Sequence, residues 1–265
     1  MQMDIITNKT ITRFSAGDFL EDTDIMAVEF PLTIYINDVE FATLVCTPDY
    51  LEDLVIGFLA SEGVIRTFSD IISMNIDDRS GFCHIESKRD IDPNYFTFTK
   101  RVLGSCCGKS RQFYFQNDMQ MSKVSAAKVT LTPRQVMTLQ RELQESSDTF
   151  KETGAIHNAC IASPDGLIIH RGDIGRHNAL DKLYGYCLRN NITVHDKILV
   201  FSGRISSEIL TKASKIGVGV VLSKAAATDL AIDLADDLNI TAIGFIRRGS
   251  FNIYSHPWRI KKEAE

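Results

Sequence analysis

Apolar and polar positions along the chain follow two periods, and the change from one to the other divides it. In the first third the apolar residues come in short runs. Pro31–Ile36 and Phe41–Cys46 flank Asn37-Asp38, a pair suited to a tight turn, which predicts a β-hairpin. Thr47-Pro48 then predicts a helix start, with Thr47 as N-cap and Pro48 at the first helical position. Leu51, Leu54, Val55, Phe58 and Leu59 recur at helical spacing on one face, and Gly63 ends the pattern. Ile71–Ile76 and Phe82–Glu86 read as a second strand pair around Asp77–Gly81. From Lys88 to Asp118 the pattern is looser.

Thr132-Pro133 opens another helix by the same chemistry, with Val136, Leu139, Gln140 and Leu143 on its inner face. Gln144–Thr153 is polar enough to be its exposed end and a connector. Beyond that point strands and helices alternate. Ala155–Ala162 and Leu167–His170 flank a Pro164-Asp165-Gly166 turn. A helix (about 178–189), a strand (198–201), a helix (206–216), a strand (218–222), a helix (228–238) and a strand (240–246) follow. Apolar, β-branched strands separated by helices predict parallel βαβ units. The expected fold is therefore α/β in the C-terminal half, with a smaller strand-rich α+β N-terminal part. A boundary falls between residues 118 and 130, giving parts of about 1–125 and 126–265, or one domain without a sharp division.

Composition narrows the function classes. The chain has 265 residues, 44% of them hydrophobic, and a net charge of −5. An acidic chain is poorly suited to nucleic acid, where basic patches supply most of the affinity. No apolar run approaches the roughly 20 residues of a membrane helix, and Met1–Phe14 has no signal-peptide pattern. The expected location is the cytoplasm, away from nucleic acid and membrane. Six cysteines are too few for a disulfide framework in a chain of this length. Cys46, Cys83, Cys160 and Cys187 sit in apolar stretches and read as buried small hydrophobes.

Five segments hold residues suited to chemistry. In Gly104-Ser105-Cys106-Cys107-Gly108-Lys109-Ser110, two adjacent cysteines lie near Lys109 and Arg111. Positive charge favours the thiolate, the nucleophilic form. Adjacent cysteines make a strained disulfide and lack the C-x-x-C spacing of a zinc site, so reactive thiols are expected and no metal site. In Arg171–Lys182, Gly175 permits a tight turn, Arg176 and His177 can offer donors to an anion at a helix start, and Asp181 is placed one turn on to orient His177. An N-cap with a solvated face is the plainer alternative. In Ser202-Gly203-Arg204-Ile205-Ser206-Ser207-Glu208, small hydroxyl residues follow a buried strand, where parallel sheets take ligands; Ser206 also suits a simple cap. His157, in Thr153–Ala159, reads as a satisfied core group or a site residue. Arg247, Arg248, His256, Arg259, Lys261 and Lys262 form a basic cluster that suggests an anionic partner or a solvated tail.

Together these segments resemble the FdhD family of formate dehydrogenase accessory proteins. The resemblance rests on Glu29–Leu32, Gly57–Gly63, Ser105–Lys109, Asp173–Lys182, Ser202–Glu208 and Gly244–Arg247, in order along most of the chain. It implies a cytidine-deaminase-like α/β layer in the C-terminal half. Deaminase chemistry does not follow, because Ala159 stands where the H-x-E signature has Glu, and no P-C-x-x-C is present. The resemblance implies a cytoplasmic sulfur carrier that takes persulfide sulfur from a cysteine desulfurase. The recipient is the molybdenum bis(molybdopterin guanine dinucleotide) cofactor, handled as a bound substrate and then inserted into formate dehydrogenase. A homodimer is a further expectation.

Many family members carry C-x-x-C in the cysteine loop, whereas here Cys106 and Cys107 are adjacent. Both are candidate carriers, and Cys107 is favoured by its neighbours Gly108 and Lys109. The family's cofactor-binding stretch maps onto Phe245, Ile246, Arg247, Arg248, Gly249 and Ser250, with Arg247 and Arg248 meeting phosphate oxygens through forked donors. Ser202, Gly203, Arg204, Ser206, Ser207, Arg176 and His177 complete the expected cofactor site. Two other readings remain at this level. One is a chaperone that binds the cofactor without sulfur chemistry. The other is a hydrolase built on Cys107, His177 and Asp181.

Overall fold

The computed structural model describes residues 3–89, 102–103, 122 and 124–262. Its N-terminal part opens with a two-stranded ribbon, β1 (Ile6–Ser15) and β2 (Asp18–Ala27), closed by Ala16 and Gly17 at positive φ. No apolar alternation marks this ribbon in the sequence, because its faces are mostly polar and Phe14, Phe19 and Leu20 are exposed rather than buried. The expected hairpin follows as β3 (Phe30–Ile36) and β4 (Val39–Cys46), with Asn37 and Asp38 both in the left-handed region of its turn. With β5 (Ile71–Asp77), β6 (Phe82–Ser87) and the short β7 (Val102–Leu103) it forms a five-stranded sheet ordered β5-β6-β3-β4-β7.

Helix α1 (Leu51–Ser61) covers this sheet, packing Leu54, Val55, Phe58 and Leu59 against Leu32, Ile34 and Phe41. Thr47 and Pro48 do not cap it. The helix begins three residues after Pro48, behind a left-handed Tyr50, with no side-chain cap. The Thr47 hydroxyl instead accepts from the Ile174 amide at 3.1 Å, a contact 127 residues away in sequence. Nor does α1 have one apolar face and one wet face. Every residue in it except Glu52 is buried, because a second helix lies on its back.

That helix is α4 (Arg176–Arg189), in the C-terminal part. The two cross backbone against backbone at Gly57 and Gly185. A Cβ on Gly57 would stand 1.8 Å from the Asp181 carbonyl oxygen, and one on Gly185 1.8 Å from that of Asp53. Only glycine permits so close an approach.

The C-terminal sheet has six strands: β8 (His157–Ser163), β9 (Gly166–Asp173), β10 (Ile198–Phe201), β11 (Val220–Ser223), β12 (Thr241–Arg247) and β13 (Ser250–Ile253). Their order is β13-β12-β11-β10-β8-β9. The three central strands β10, β11 and β12 run parallel, as the alternating pattern predicts, while β8, β9 and β13 pair antiparallel. One face is covered by α4, α5 (Ser207–Ile216) and α6 (Asp229–Asp237), whose Leu180, Leu183, Leu210, Ala213 and Leu234 pack on Leu199, Phe201 and Val221. The other face takes α2 (Pro133–Glu145), through Val136, Leu139 and Leu143 against Val200 and Leu222.

Thr132 caps α2 as expected: its hydroxyl accepts from the Gln135 amide, and the Gln135 side-chain oxygen accepts from the Thr132 amide. The polar stretch after α2 contains a further short helix, α3 (Asp148–Thr153). Layered in order are the first sheet, α1, the α4–α6 layer, the second sheet and α2. Among the described residues no helix is long and apolar enough to cross a membrane.

Candidate functional site

The parallel strands β10, β11 and β12 end together at one edge of the second sheet. Each is followed by a short loop, and backbone bonds tie the three loops to one another. In the first, the Ser202 amide donates to the Asn158 carbonyl and the Ser202 hydroxyl accepts from the Asn158 amide, both at 2.9 Å, so Ser202 extends the β8–β10 pairing. The Ser223 hydroxyl donates to the Gly203 carbonyl at 2.7 Å. Ile205 pairs with Ala227 in the next loop, its amide donating to the Ala226 carbonyl at 2.9 Å. The Phe245 amide donates to the Ala225 carbonyl at 3.0 Å. Residues 224–227, which fall between the strand and the helix expected from sequence, thus hold the Ser202–Ser206 loop on one side and the Phe245 turn on the other. Their only sequence signal is a run of small residues after a buried strand.

Within this edge the predicted residues take different roles. Ser206 is the N-cap of α5, accepting from the Ile209 amide at 3.5 Å, and Ser207 begins the helix. Arg204 is exposed. Phe245 lies in the left-handed region, φ 51°, is 38% exposed, and has the Arg247 guanidinium 5.8 Å from its ring centre. A β-bulge between Gly244 and Arg247 produces this turn-out. A bulky residue at positive φ is strained, and such strain concentrates at functional sites. Ile246, by contrast, packs inward beside Val200 and Ile243, so only its backbone faces the edge. Arg247, Arg248, Gly249 and Ser250 are exposed around the turn into β13.

The Asp173–Lys182 motif divides between the site and the junction of the two parts. Arg176 and His177 open α4, and Gly175, its N-cap, supplies no side-chain cap. His177 does not use Asp181. Its Nε2 meets Glu208 Oε2 at 3.0 Å on the neighbouring helix α5, while Asp181 is buried and accepts from Ser61 Oγ at 2.6 Å and from Lys212. One helical turn separates His177 from Asp181, but the tight crossing with α1 draws the carboxylate inward. The Cys107–His177–Asp181 hydrolase reading loses its orienting group.

Nor is the rest of that motif a solvated face. Asp173 and Lys182 pair at 2.9 Å with neither side chain exposed. Lys182 also pairs with Asp49 and donates to the Thr47 carbonyl at 3.1 Å. Burial alone would lower the Lys182 pKa, but Asp173 and Asp49 hold it above its ordinary value. Arg171 joins the same junction, donating twice to Asp53 Oδ2 (3.1 and 2.7 Å).

The basic tail is corrected too. Arg259 is fully buried, donates to the Ala127 carbonyl and to Thr241 Oγ1, and lies 4.1 Å from the Trp258 ring centre. It fastens the tail to the second sheet. Cys106 and Cys107 lie outside the described residues; β7 ends at Leu103, shortly before them. The four other cysteines are buried and free, as expected. Burial pushes the Cys83, Cys160 and Cys187 thiols up to about 12, and Cys46 beyond that.

Fold and site together define an α/β protein with an arginine-rich edge where its parallel strands end. The chain belongs to the FdhD/NarQ family, whose model matches residues 27–261. It is 57% identical over 261 residues to a protein of Staphylococcus haemolyticus named sulfur carrier protein FdhD, covering 98% of this chain and 99% of that one. A protein of the same name from Staphylococcus aureus is 56% identical over 260 residues, with 98% of each covered. The fold matches the crystal structure of a protein described as a formate dehydrogenase accessory protein from Desulfotalea psychrophila. The TM-score there is 0.80 at 20% identity, over 97% of this chain and 100% of that one.

Proposed function

We propose that this protein is a sulfur carrier serving formate dehydrogenase. The observation that supports this most is its 57% identity, over nearly the whole chain, to a protein named for that role. In this reading a cysteine desulfurase presents a persulfide. The Cys107 thiolate, or that of Cys106, attacks the terminal sulfur, the donor S–S bond breaks, and the desulfurase cysteine leaves as thiolate. No net oxidation occurs. Attack by the neighbouring cysteine on the inner sulfur then hands the outer sulfur on as hydrosulfide and leaves a Cys106–Cys107 disulfide, which a dithiol reductant returns to two thiols while itself becoming a disulfide.

The acceptor is the molybdenum bis(molybdopterin guanine dinucleotide) cofactor, bound as substrate. The edge at the strand ends fits the phosphate-bearing part of such a molecule. Arg247 and Arg248 are exposed there without an ion-pair partner among the described residues, and the strained Phe245 turns an aromatic face outward beside them. The protein carries no proposed metal site of its own.

Incubation with an active desulfurase and free cysteine should add one sulfur, located by mass spectrometry on the peptide holding Cys106 and Cys107. Cys107→Ala should fail to activate formate dehydrogenase in cells lacking the native protein, and more completely than Cys106→Ala. A sulfur found only on Cys160 or Cys187 overturns the site. Wild-type activity in the double variant replaces sulfur transfer with simple cofactor protection.

A further inference from the structure

The proposed function makes no use of the ribbon formed by β1 and β2. Apart from Ala27, the ribbon lies outside residues 27–261, which the family model matches. β2 packs on α3, while β1 is exposed along nearly its whole length. A two-stranded ribbon is at best marginally stable in water, and this one also leaves Phe14 and Phe19 exposed at its tip.

Its two edges differ. The Val28 amide donates to the Ile5 carbonyl at 3.0 Å, and in an antiparallel ladder such bonded pairs alternate with unbonded ones. The unbonded pairs of this register therefore run from Ile6–Ala27 to Phe14–Phe19 at every second residue, and their amides and carbonyls point away from the ribbon. On β2 three of these outward amides are occupied. Asp18 accepts from Phe19 at 2.8 Å, Asp22 from Thr23 at 2.7 Å and Asp24 from Ile25 at 3.1 Å. The aspartates close that edge to a further strand, one of the ways sheets avoid unwanted pairing. On β1 the outward amides of Ile6, Asn8, Thr10, Thr12 and Phe14 make no bond to a described residue. That edge is open, and its β-branched residues with no proline suit pairing.

Charge decides what fits the open edge. The charged residues of β1 are Lys9 and Arg13, four positions apart and so on one face. Arg13 gives Nε to Asp22 at 2.6 Å and keeps its two terminal nitrogens, and Lys9 makes no ion pair with a described residue. Pairing with a second copy of β1 would bring like charges together. A strand with carboxylates at the matching positions would meet a cation at each. Only an extended polypeptide fills a row of backbone donors and acceptors spaced two residues apart, which disfavours nucleotides and lipid headgroups.

We infer that β1 is a docking edge for an extended acidic segment of a partner protein, which joins the ribbon as a third strand. The backbone of that segment pairs with the outward groups from Asn8 to Phe14. Its carboxylates, four residues apart, face Lys9 and Arg13, and β-branched residues on its other side extend the contact between Phe14 and Phe19, whose ring centres are 5.1 Å apart. The assignment stands independently of the sulfur-carrier reading.

The test is NMR titration of the nitrogen-labelled full chain with a synthetic peptide of valine and threonine that carries two glutamates four residues apart. The amides of Asn8, Thr10 and Thr12 should shift most and exchange more slowly with solvent, and those of Thr23 and Ile25, on the closed edge, should move least. Replacing both glutamates by lysine should weaken binding roughly tenfold or more. Methylating alternate peptide nitrogens on the pairing side should abolish it, a result read on the wild-type protein and free of any folding defect. Thr10→Pro removes one outward amide without touching a bond of the ladder and should abolish binding too. Equal affinity for the glutamate and lysine peptides overturns the proposal, as do shifts centred on β2 or no shift on β1 at roughly millimolar peptide. Slow exchange of the β1 amides in the protein alone, lost on dilution, overturns it in favour of pairing between two copies.

Discussion

At the scale of single residues, burial separates reactive from inert groups. The thiols of Cys83, Cys160 and Cys187 are raised to about 12 by desolvation, and Cys46 further, so at neutral pH none of the four is a nucleophile. Iodoacetamide should therefore modify the native protein rapidly at no cysteine except Cys106 and Cys107, with the rest reacting only after denaturation. Peptide mapping checks this, and prompt labelling of Cys160 would contradict it. Two histidines carry a pH dependence of the opposite kind. His157 is lowered by burial and Arg176, and His170 by burial and Arg171. Each binds its proton more readily in the unfolded chain. Their contribution is therefore present above the ordinary histidine value of about 6.5 and is lost as pH falls toward their lowered native values. Urea titrations at pH 7.5 and 5.5 should show lower stability at 5.5, with a smaller difference in His170→Asn. Equal differences in the two proteins would remove His170 from the account.

Elements show where local pattern suffices and where it fails. The cap of α2 was legible because Thr132, Pro133 and Gln135 form a self-contained unit, and every bond in it spans three residues. Thr132→Ala should cost about 1 kcal/mol, read from denaturant midpoints. The same Thr-Pro pair at 47–48 misled, because the Asp173–Gly175 turn offers Thr47 a partner that no local window contains. The crossing of α1 and α4 was illegible for a related reason. Helix propensity alone makes Gly57 and Gly185 weak points in their helices, yet their missing side chains are the contact. Ala at either position puts a carbon 1.8 Å from a carbonyl oxygen of the other helix. Gly57→Ala and Gly185→Ala should each lower the melting temperature far more than the slight gain expected from helix propensity would raise it. A variant as stable as wild type would mean that the helices do not meet there.

On the scale of the molecule, charge is distributed against the average. The chain carries a net −5, yet the strand-end edge presents Arg176, Arg204, Arg247 and Arg248, with Glu208 taken up by His177. Nucleotide binding at this edge should weaken as salt rises. Arg247→Ala should cost roughly 1.5–3 kcal/mol of GDP affinity and flatten that salt dependence, both measurable by titration at two ionic strengths. Between the two sheets charges are instead buried in pairs. Lys182→Met leaves Asp173 without its cation in a site with no access to water and should cost about 3–5 kcal/mol in chemical denaturation. A loss confined to one part of the protein, with the other unfolding as before, would show that this pair does not join them.

Pattern along the chain was enough for the class of fold, most strands and helices, the inert cysteines and the segments found at the strand-end edge. These depend on periodicity and on contacts a few residues long, which are written wherever the chain is read. Tertiary structure alone decided which charges at Asp173–Lys182 face solvent and which lie buried, and that His177 answers to Glu208 rather than Asp181. It also made Arg259 a buried fastening rather than a basic tail, and set the His157 ring against Phe201. In each case the deciding neighbour comes from another element, and burial changes what a charge or an imidazole does without changing which residue it is.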